Sequence, residues 1–293
     1  MKGHCLFTRR RIILALGALP AARFAVAADD VDAKRTGGPY VPTPQVVVDE
    51  MLRIGKVGPS DFVVDLGSGD GVIVLTAATQ LHARGFGVDI DPELVKRSNA
   101  EAKKRGVAER ASFQVQDVFK TDIGRATVVT LYLLPGMMLD LRPKILDELK
   151  PGTRVVSHDY HFGDWASDER YTWDVPEKEK INGVPRATVY LWIVPAKVAG
   201  LWRLTVAAPA NEKYDLSLRQ DFQNFDGTMA GNGVKASKLT QPQLAGNEIS
   251  FAFSVGDSRH VFQGRVEGET MQGTVRLAGA RGKAKWTATR QKT

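Results

Sequence analysis

The 293-residue chain has a single cysteine, Cys5, and only five histidines. One thiol excludes an internal disulfide and any zinc site built from several cysteines. The apolar stretch Ile12 to Leu19 falls well short of the ~18 residues that a membrane-crossing helix needs. Residues 1–27 contain no acidic side chain but carry Lys2, Arg9, Arg10, Arg11 and Arg23. There is also no strict internal repeat and no low-complexity tract.

The acid-free start has the layout of an export signal. A basic Arg9-Arg10-Arg11 is followed by the apolar stretch, and Ala25-Val26-Ala27 offers a small-x-small cleavage site before Ala28-Asp29-Asp30. Thr8-Arg9-Arg10-Arg11-Ile12-Ile13 also fits a twin-arginine leader, whose cargo crosses folded. Residues 1–27 are therefore expected to be a signal peptide, removed together with Cys5 on export to a bacterial periplasm. If the leader is not used, the protein stays cytoplasmic. Removal lowers the net charge from +7 to +2, which withdraws the main argument for a nucleic-acid partner. The remaining charge is divided, since residues 201–293 hold 13 basic and 8 acidic side chains.

Beyond the leader, apolar runs of strand length alternate with stretches of helical length. The strands are expected at Phe62 to Leu66, Phe86 to Ile90, Ser112 to Gln116, Thr127 to Tyr132 and Thr153 to His158. Helices are expected at Val46 to Ile54, Val72 to Gln80, Pro92 to Arg105 and Met137 to Leu149, the last stopped by Lys150-Pro151-Gly152. This rhythm predicts an α/β domain over residues 28–195 with a parallel sheet and crossover helices. Tyr171 to Val175 and Ala187 to Val194 follow as a candidate antiparallel edge, with a turn-rich, charged segment between them. From 200 to 293 the helical period disappears and short alternating segments are split by Gly, Asn and Asp. An antiparallel β-barrel or sandwich is expected there, with Trp202, Phe251, Phe253, Phe262 and Trp286 inside it.

The most informative segment is Asp65-Leu66-Gly67-Ser68-Gly69-Asp70-Gly71, where an apolar strand runs into a glycine turn that opens a helix. Glycines there let the backbone turn sharply and approach a ligand. A nicotinamide fingerprint places its third glycine one residue later, where this chain has Val72. Gly67, Gly69 and Gly71 after a strand-ending acid instead match the spacing of S-adenosylmethionine (SAM) sites. SAM carries an ammonium, a ribose diol and an adenine but no pyrophosphate, so its site needs carboxylates. Asp65 suits the ammonium and Asp89, 20 residues beyond Gly69, suits the ribose. Asp117 suits the adenine amino group, with Val118 or Phe119 against the ring. Three acids at successive strand ends lie where open α/β sheets bind their ligands.

Upstream, Pro39-Tyr40-Val41-Pro42-Thr43-Pro44-Gln45 precedes the first helix. With the glycine turn and Leu149-Lys150-Pro151-Gly152-Thr153-Arg154-Val155-Val156-Ser157-His158, this segment resembles class I methyltransferases, roughly from Pro39 to Phe162. Within that class it is similar to the non-SET lysine methyltransferases, of the histone H3 type and of the mitochondrial type that modifies the ATP synthase c-ring protein and the adenine nucleotide translocator. The resemblance implies a Rossmann-like seven-stranded sheet and SAM as cofactor, with Tyr40 and Thr43 touching it. It also implies that Leu131 to Pro135 borders the methyl group, which makes Tyr132, Leu134 and Pro135 acceptor-side candidates. The histone enzymes have an Asn at the end of the fourth strand, whereas this chain reads Thr130-Leu131-Tyr132-Leu133-Leu134-Pro135, nearer to the mitochondrial type. The implied activity is methyl transfer to an acceptor, a protein lysine amine first and a small molecule as an alternative. A SAM-binding envelope protein without turnover, acting through its β domain, is the other alternative.

Methyl transfer to an amine is an in-line displacement that needs alignment and desolvation more than an acid or a metal. No catalytic triad is expected, and no metal. His158 and His161 would point apart in extended backbone, which leaves His158 as a candidate for lining the acceptor side. The basic cluster Arg276, Arg281, Lys283, Lys285, Arg290 and Lys292 reads as a solvated face or mobile end, with docking to an acidic partner as the alternative.

Overall fold

The computed structural model describes residues 38–292 except 209, 232, 280 and 281. The leader expected over 1–27 and Arg281 of the basic cluster lie outside the described residues. Five strands and four helices follow one another as expected, with only a 3₁₀ turn between β3 and β4: α1 (Gln45–Ile54), β1 (Phe62–Leu66), α2 (Val72–Gln80), β2 (Arg84–Asp89), α3 (Pro92–Lys104), β3 (Ala111–Val115), β4 (Val128–Leu131), α4 (Pro135–Glu148) and β5 (Arg154–His158). Then come β6 (Glu169–Asp174), α5 (Pro176–Asn182) and β7 (Arg186–Ile193). The sheet order is β3-β2-β1-β4-β5-β7-β6. Strands β1 to β5 are parallel, and β7 runs antiparallel to both β5 and β6.

The order reverses on either side of β1, and this opens a crevice at the carboxyl ends of β1 and β4. Both faces of the sheet are covered, so the central strands are apolar almost throughout, with Val63, Val64 and Leu66 in β1 and Val128, Val129 and Leu131 in β4 fully buried. Helix α1 lays Val47, Val48, Met51 and Leu52 on one face of the sheet, and Met138, Leu141 and Ile145 of α4 cover the other. The segment between β6 and β7, read as turn-rich from sequence, contains the short helix α5. Its sequence Pro-Glu-Lys-Glu-Lys-Ile-Asn has no apolar stripe by which to announce itself.

Residues 200–290 form a second sheet of nine antiparallel strands. They are β8 (Gly200–Val206), β9 (Lys213–Asp221), β10 (Asn224–Gly231), β11 (Val234–Lys238), β12 (Thr240–Ala245), β13 (Glu248–Val255), β14 (Ser258–Glu267), β15 (Thr270–Arg276) and β16 (Lys283–Arg290). The order β11-β10-β9-β8-β16-β15-β14-β13-β12 brings the first and last strands together at its centre. The sheet curls until its edges nearly meet, with β12 coming into contact with β10, and Leu239 N donates to Gly227 O at 2.9 Å as the last rung of the β10–β11 pairing. Trp202, Phe251, Phe253, Phe262 and Trp286 fill the interior as expected. Strands β10, β11 and β12 escape a sequence reading because Asn and Gly interrupt the alternation of β10, Gln and Pro that of β12, and β11 is short and carries two lysines and a serine in five residues.

The barrel is tied to the first sheet. Phe222, at the β9–β10 turn, stacks on Trp165 at 5.9 Å, and Ala196 N donates to Gly246 O at 2.8 Å. Arg290 does not belong to a solvated basic face. Its guanidinium lies over Trp202, bonds the Lys197 carbonyl at 2.6 Å and meets Glu269 at 2.9 Å, so it closes the joint between the domains. Arg276, Lys283, Lys285 and Lys292 are exposed. Among the described residues, no helix is long and apolar enough to cross a membrane.

Candidate functional site

Where β1 ends, the chain folds back on β2. Gly67 N and Ser68 N both donate to Val88 O, at 2.9 and 2.8 Å, and Gly69 N donates to Asp89 Oδ2 at 2.8 Å. The other oxygen of Asp89 accepts from Asp91 N at 3.0 Å, and Asp91 in turn caps α3 through Glu93 N at 2.8 Å. Gly69 has φ +51°, and a Cβ there would come within 2.6 Å of the Tyr40 ring. The ring therefore rests directly on the turn, which fixes the segment before α1 against the end of β1. Thr43 does not cap α1; the N-cap is Pro44, with no side-chain bond.

This corner opens into a cavity of 520 Å³. Tyr40, Thr43, Asp65, Gly67, Gly69, Asp89, Asp117, Val118, Tyr132 and Leu134 all line it. Three candidates do not. Gly71, at φ +78°, packs against Phe113 and Ser98 where α2 begins, so its role is to turn the chain. Pro135 starts α4 with its ring exposed. His158 lies behind Tyr132, whose ring covers it at a centroid distance of 4.0 Å. Leu133, within the span expected to border the methyl group, lines it too, and the cavity also uses Ser68, Met137 and Tyr160, which sequence reasoning did not assign to it. Tyr160 lay inside a segment already singled out for its histidines, whereas Met137 enters from a helix and has no local signal.

The acids differ in environment. Asp65 is 2% exposed and accepts from Thr130 Oγ1 at 2.7 Å. Burial pushes its carboxyl up to about 7 against the lowering effect of that bond, and the negative charges of Asp89 and Asp70 add to the rise. Thr130 stands at the end of β4, where the histone-type enzymes were expected to differ, and here its hydroxyl holds Asp65. Asp117 caps the 3₁₀ turn Val118–Lys120 by accepting from Phe119 N at 2.9 Å. Val118 faces the cavity, and Phe119 does not line it. Burial and the neighbouring Asp70 raise the Tyr40 phenol above its ordinary value, so it stays protonated. The Ser68 hydroxyl is buried at the cavity wall without a hydrogen-bond partner.

All five acids on the wall, Asp65, Asp70, Asp89, Asp91 and Asp117, belong to the ends of β1, β2 and β3. The opposite wall, from Tyr132 to Met137 and across to Tyr160, carries no ionised side chain.

Residues 65–169 match the family model of the ANTKMT methyltransferase domain. Over 157 residues the chain is 44% identical to a protein-lysine N-methyltransferase of Saccharolobus islandicus, covering 53% of this chain and 93% of that protein. The chain belongs to this family. It is a SAM-dependent methyltransferase with a Rossmann-like catalytic domain and an added barrel. It is also 34% identical over 130 residues to the ATP synthase c-subunit lysine N-methyltransferase of Xenopus laevis, covering 44% of this chain and 57% of that protein. Among solved structures, an RNA methyltransferase from Salinibacter ruber in complex with S-adenosyl-L-homocysteine is 47% identical. It covers 54% of this chain and 96% of its own, with a TM-score of 0.49. Neither curated relative covers much more than half of this chain, and the matched family region ends at residue 169, before the nine-stranded sheet begins.

Proposed function

We propose that this methyltransferase acts on a lysine amine of a protein. The observation that carries the reading is the division of the cavity into an acid-lined half and an uncharged aromatic and aliphatic half. The acids fit SAM. Asp65 receives the ammonium and Asp89 the ribose hydroxyls, while Asp117 and Val118 hold the adenine. Tyr40 and Thr43 close over the cofactor from the segment before α1. The orphaned Ser68 hydroxyl supplies one more polar contact to a ligand in the cavity. When bound, SAM supplies a methyl group on a sulfonium, and the leaving sulfur keeps the bonding pair.

The remaining chemistry belongs to the acceptor side. An amine attacks only with a free lone pair, and an uncharged wall of Tyr132, Leu134 and Tyr160 favours the neutral amine over the ammonium by withholding solvent. Alignment and exclusion of water suffice for the displacement. The names of the relatives favour a protein lysine over other amines. The leader features of residues 1–27 support export, which N-terminal sequencing of the mature protein from a periplasmic fraction would test.

The decisive experiment supplies tritiated SAM to source-cell extracts, followed by acid hydrolysis and amino-acid analysis, with Asp89→Ala as control. Label in methyl-lysine that is absent from the control is the expected result. Label confined to a small-molecule fraction would move the acceptor to that class, and SAM binding without label would make the protein a non-catalytic binder.

A further inference from the structure

Helix α5 is inside out. Its one buried residue is Lys178, 3% exposed, while its aliphatic Ile181 faces outward. An apolar residue at 178 would fasten the helix to the sheet without desolvating a charge. Lys178 instead places its ammonium 2.5 Å from Asp159 Oδ2 and 2.5 Å from the Arg186 carbonyl. Asp159 is held as firmly on its other side. Its Oδ1 accepts from Thr188 N at 3.0 Å, and its own amide donates to Thr188 O at 2.6 Å. To do this it adopts φ +63°, a left-handed conformation that side-chain-bearing residues seldom take.

The residue before it, His158, is 1% exposed, and neither ring nitrogen has a hydrogen-bond partner. Asp159 Oδ2 lies 3.5 Å from its Nε2. Burial pulls the imidazole down to about 4, so it stays neutral across the physiological range. A buried ion pair, a left-handed backbone at Asp159 and an unsatisfied imidazole thus meet at the end of β5. Each costs stability, and such costs gather where a structure fixes something else in place. Their common neighbour is Tyr132. Its ring lies on His158, and its phenol lies beside Asp159 and Asn182, the last residue of α5. Tyr132 is also the first residue of the uncharged wall of the cavity.

We infer that the Asp159–Lys178 pair and His158 form a clamp that holds Tyr132 at the acceptor end of the cavity, with α5 as the arm that carries the clamp. The inference rests on the methyl-transfer reading for its consequence and on geometry alone for the clamp. Asp159 and Lys178 are positioning residues that act through Tyr132 and touch neither the cofactor nor the incoming amine.

The test uses the full chain with ¹³C-labelled tyrosine rings, the Tyr132 signals being assigned by their loss in Tyr132→Phe. The double variant Asp159→Asn/Lys178→Met removes both charges together, so no charge is stranded and the melting temperature should hold or rise. In it the Tyr132 signals should move toward the positions of an exposed tyrosine while the other tyrosines stay put. SAM affinity should remain within about twofold of wild type, because neither Asp159 nor Lys178 lines the cavity. Methyl transfer to extract protein should fall about tenfold or more at saturating SAM. Unchanged Tyr132 signals in the folded double variant would overturn the clamp. Displaced Tyr132 signals with transfer at wild-type rate would overturn its role in positioning. Absence of transfer by the wild-type chain would remove the methyl-transfer reading, and the Tyr132 signals would still decide the clamp.

Discussion

The two sheets of this protein bury different things. Among the described residues every buried polar or charged side chain, from Asp61 to Lys178, belongs to the first. The barrel interior is apolar, and its indoles satisfy themselves locally: Trp286 donates to the carbonyls of Gln263 and Thr274, both at 3.1 Å, and Trp202 to Val198 O at 2.9 Å. A buried polar group costs free energy unless it is paired, so its placement is informative where an apolar residue would serve packing better. Some of these groups brace the domain away from the cavity, as Asp61 does with Arg154 and Thr127 at the start of β1, while Asp65, Ser68 and Thr130 gather at its acid-lined half and His158 and Lys178 behind the other. The barrel's own pocket of 410 Å³, lined by Ser217, Arg219, Asp226, Thr228 and Lys238, has no buried polar side chain, and the barrel is fixed to the catalytic domain through Phe222 and Arg290.

Substitutions can sharpen this contrast or break it. The largest effect is expected from Trp286→Ala in the barrel core, a loss of about 3–5 kcal/mol in chemical denaturation. SAM affinity of the protein that remains folded should be unchanged, and a parallel loss of binding would show that the barrel shapes the cavity. Next comes Asp89→Ala, which removes acceptors from a ligand-facing carboxylate and should weaken SAM binding by about 2–3 kcal/mol in calorimetry. Its effect on melting should be small, because Asp89 braces only the turn amides of Gly69 and Asp91. Gly69→Ala should fall below that, at about 1–2 kcal/mol of stability, from a left-handed backbone position and a clash with Tyr40. Lys285→Ala, on the exposed side of β16, should shift stability by no more than about 0.5 kcal/mol and leave SAM affinity alone.

The contrast also explains what the sequence made legible. Alternation of strand and helix, the glycine turn and the acids at strand ends are local patterns, and they located the fold, the acid-lined half of the cavity and the barrel interior. Tyr160 and Met137 reach the cavity from separate elements, through packing that no short window encodes. His158 was misplaced because alternation along β5 gives a facing but not the depth at which Tyr132 covers it. Gly71 shares its spacing with Gly67 and Gly69 but serves helix packing, since a repeat of glycines does not say which of them meets the ligand. Helix α5 was missed because its anchor is a buried charge, the reverse of the pattern by which amphipathic helices are recognised.

The most direct test follows Asp65, the acid whose burial makes sense only if a cation arrives. Its carboxyl is raised to about 7 in the fold, from an ordinary value near 3.8. The native state therefore holds a proton that the unfolded chain has released, and ligand-free stability should fall as pH rises between those two values. Binding of the SAM ammonium favours the ionised form, so affinity should rise about tenfold per pH unit below 7 and level off above it. Melting and SAM calorimetry on wild type and Asp65→Asn from pH 5 to 9 read both effects at once. Asp65→Asn should melt higher than wild type at pH 8, bind SAM weakly and lose the pH dependence of both. Wild-type affinity in Asp65→Asn, with the same pH profile, would contradict it.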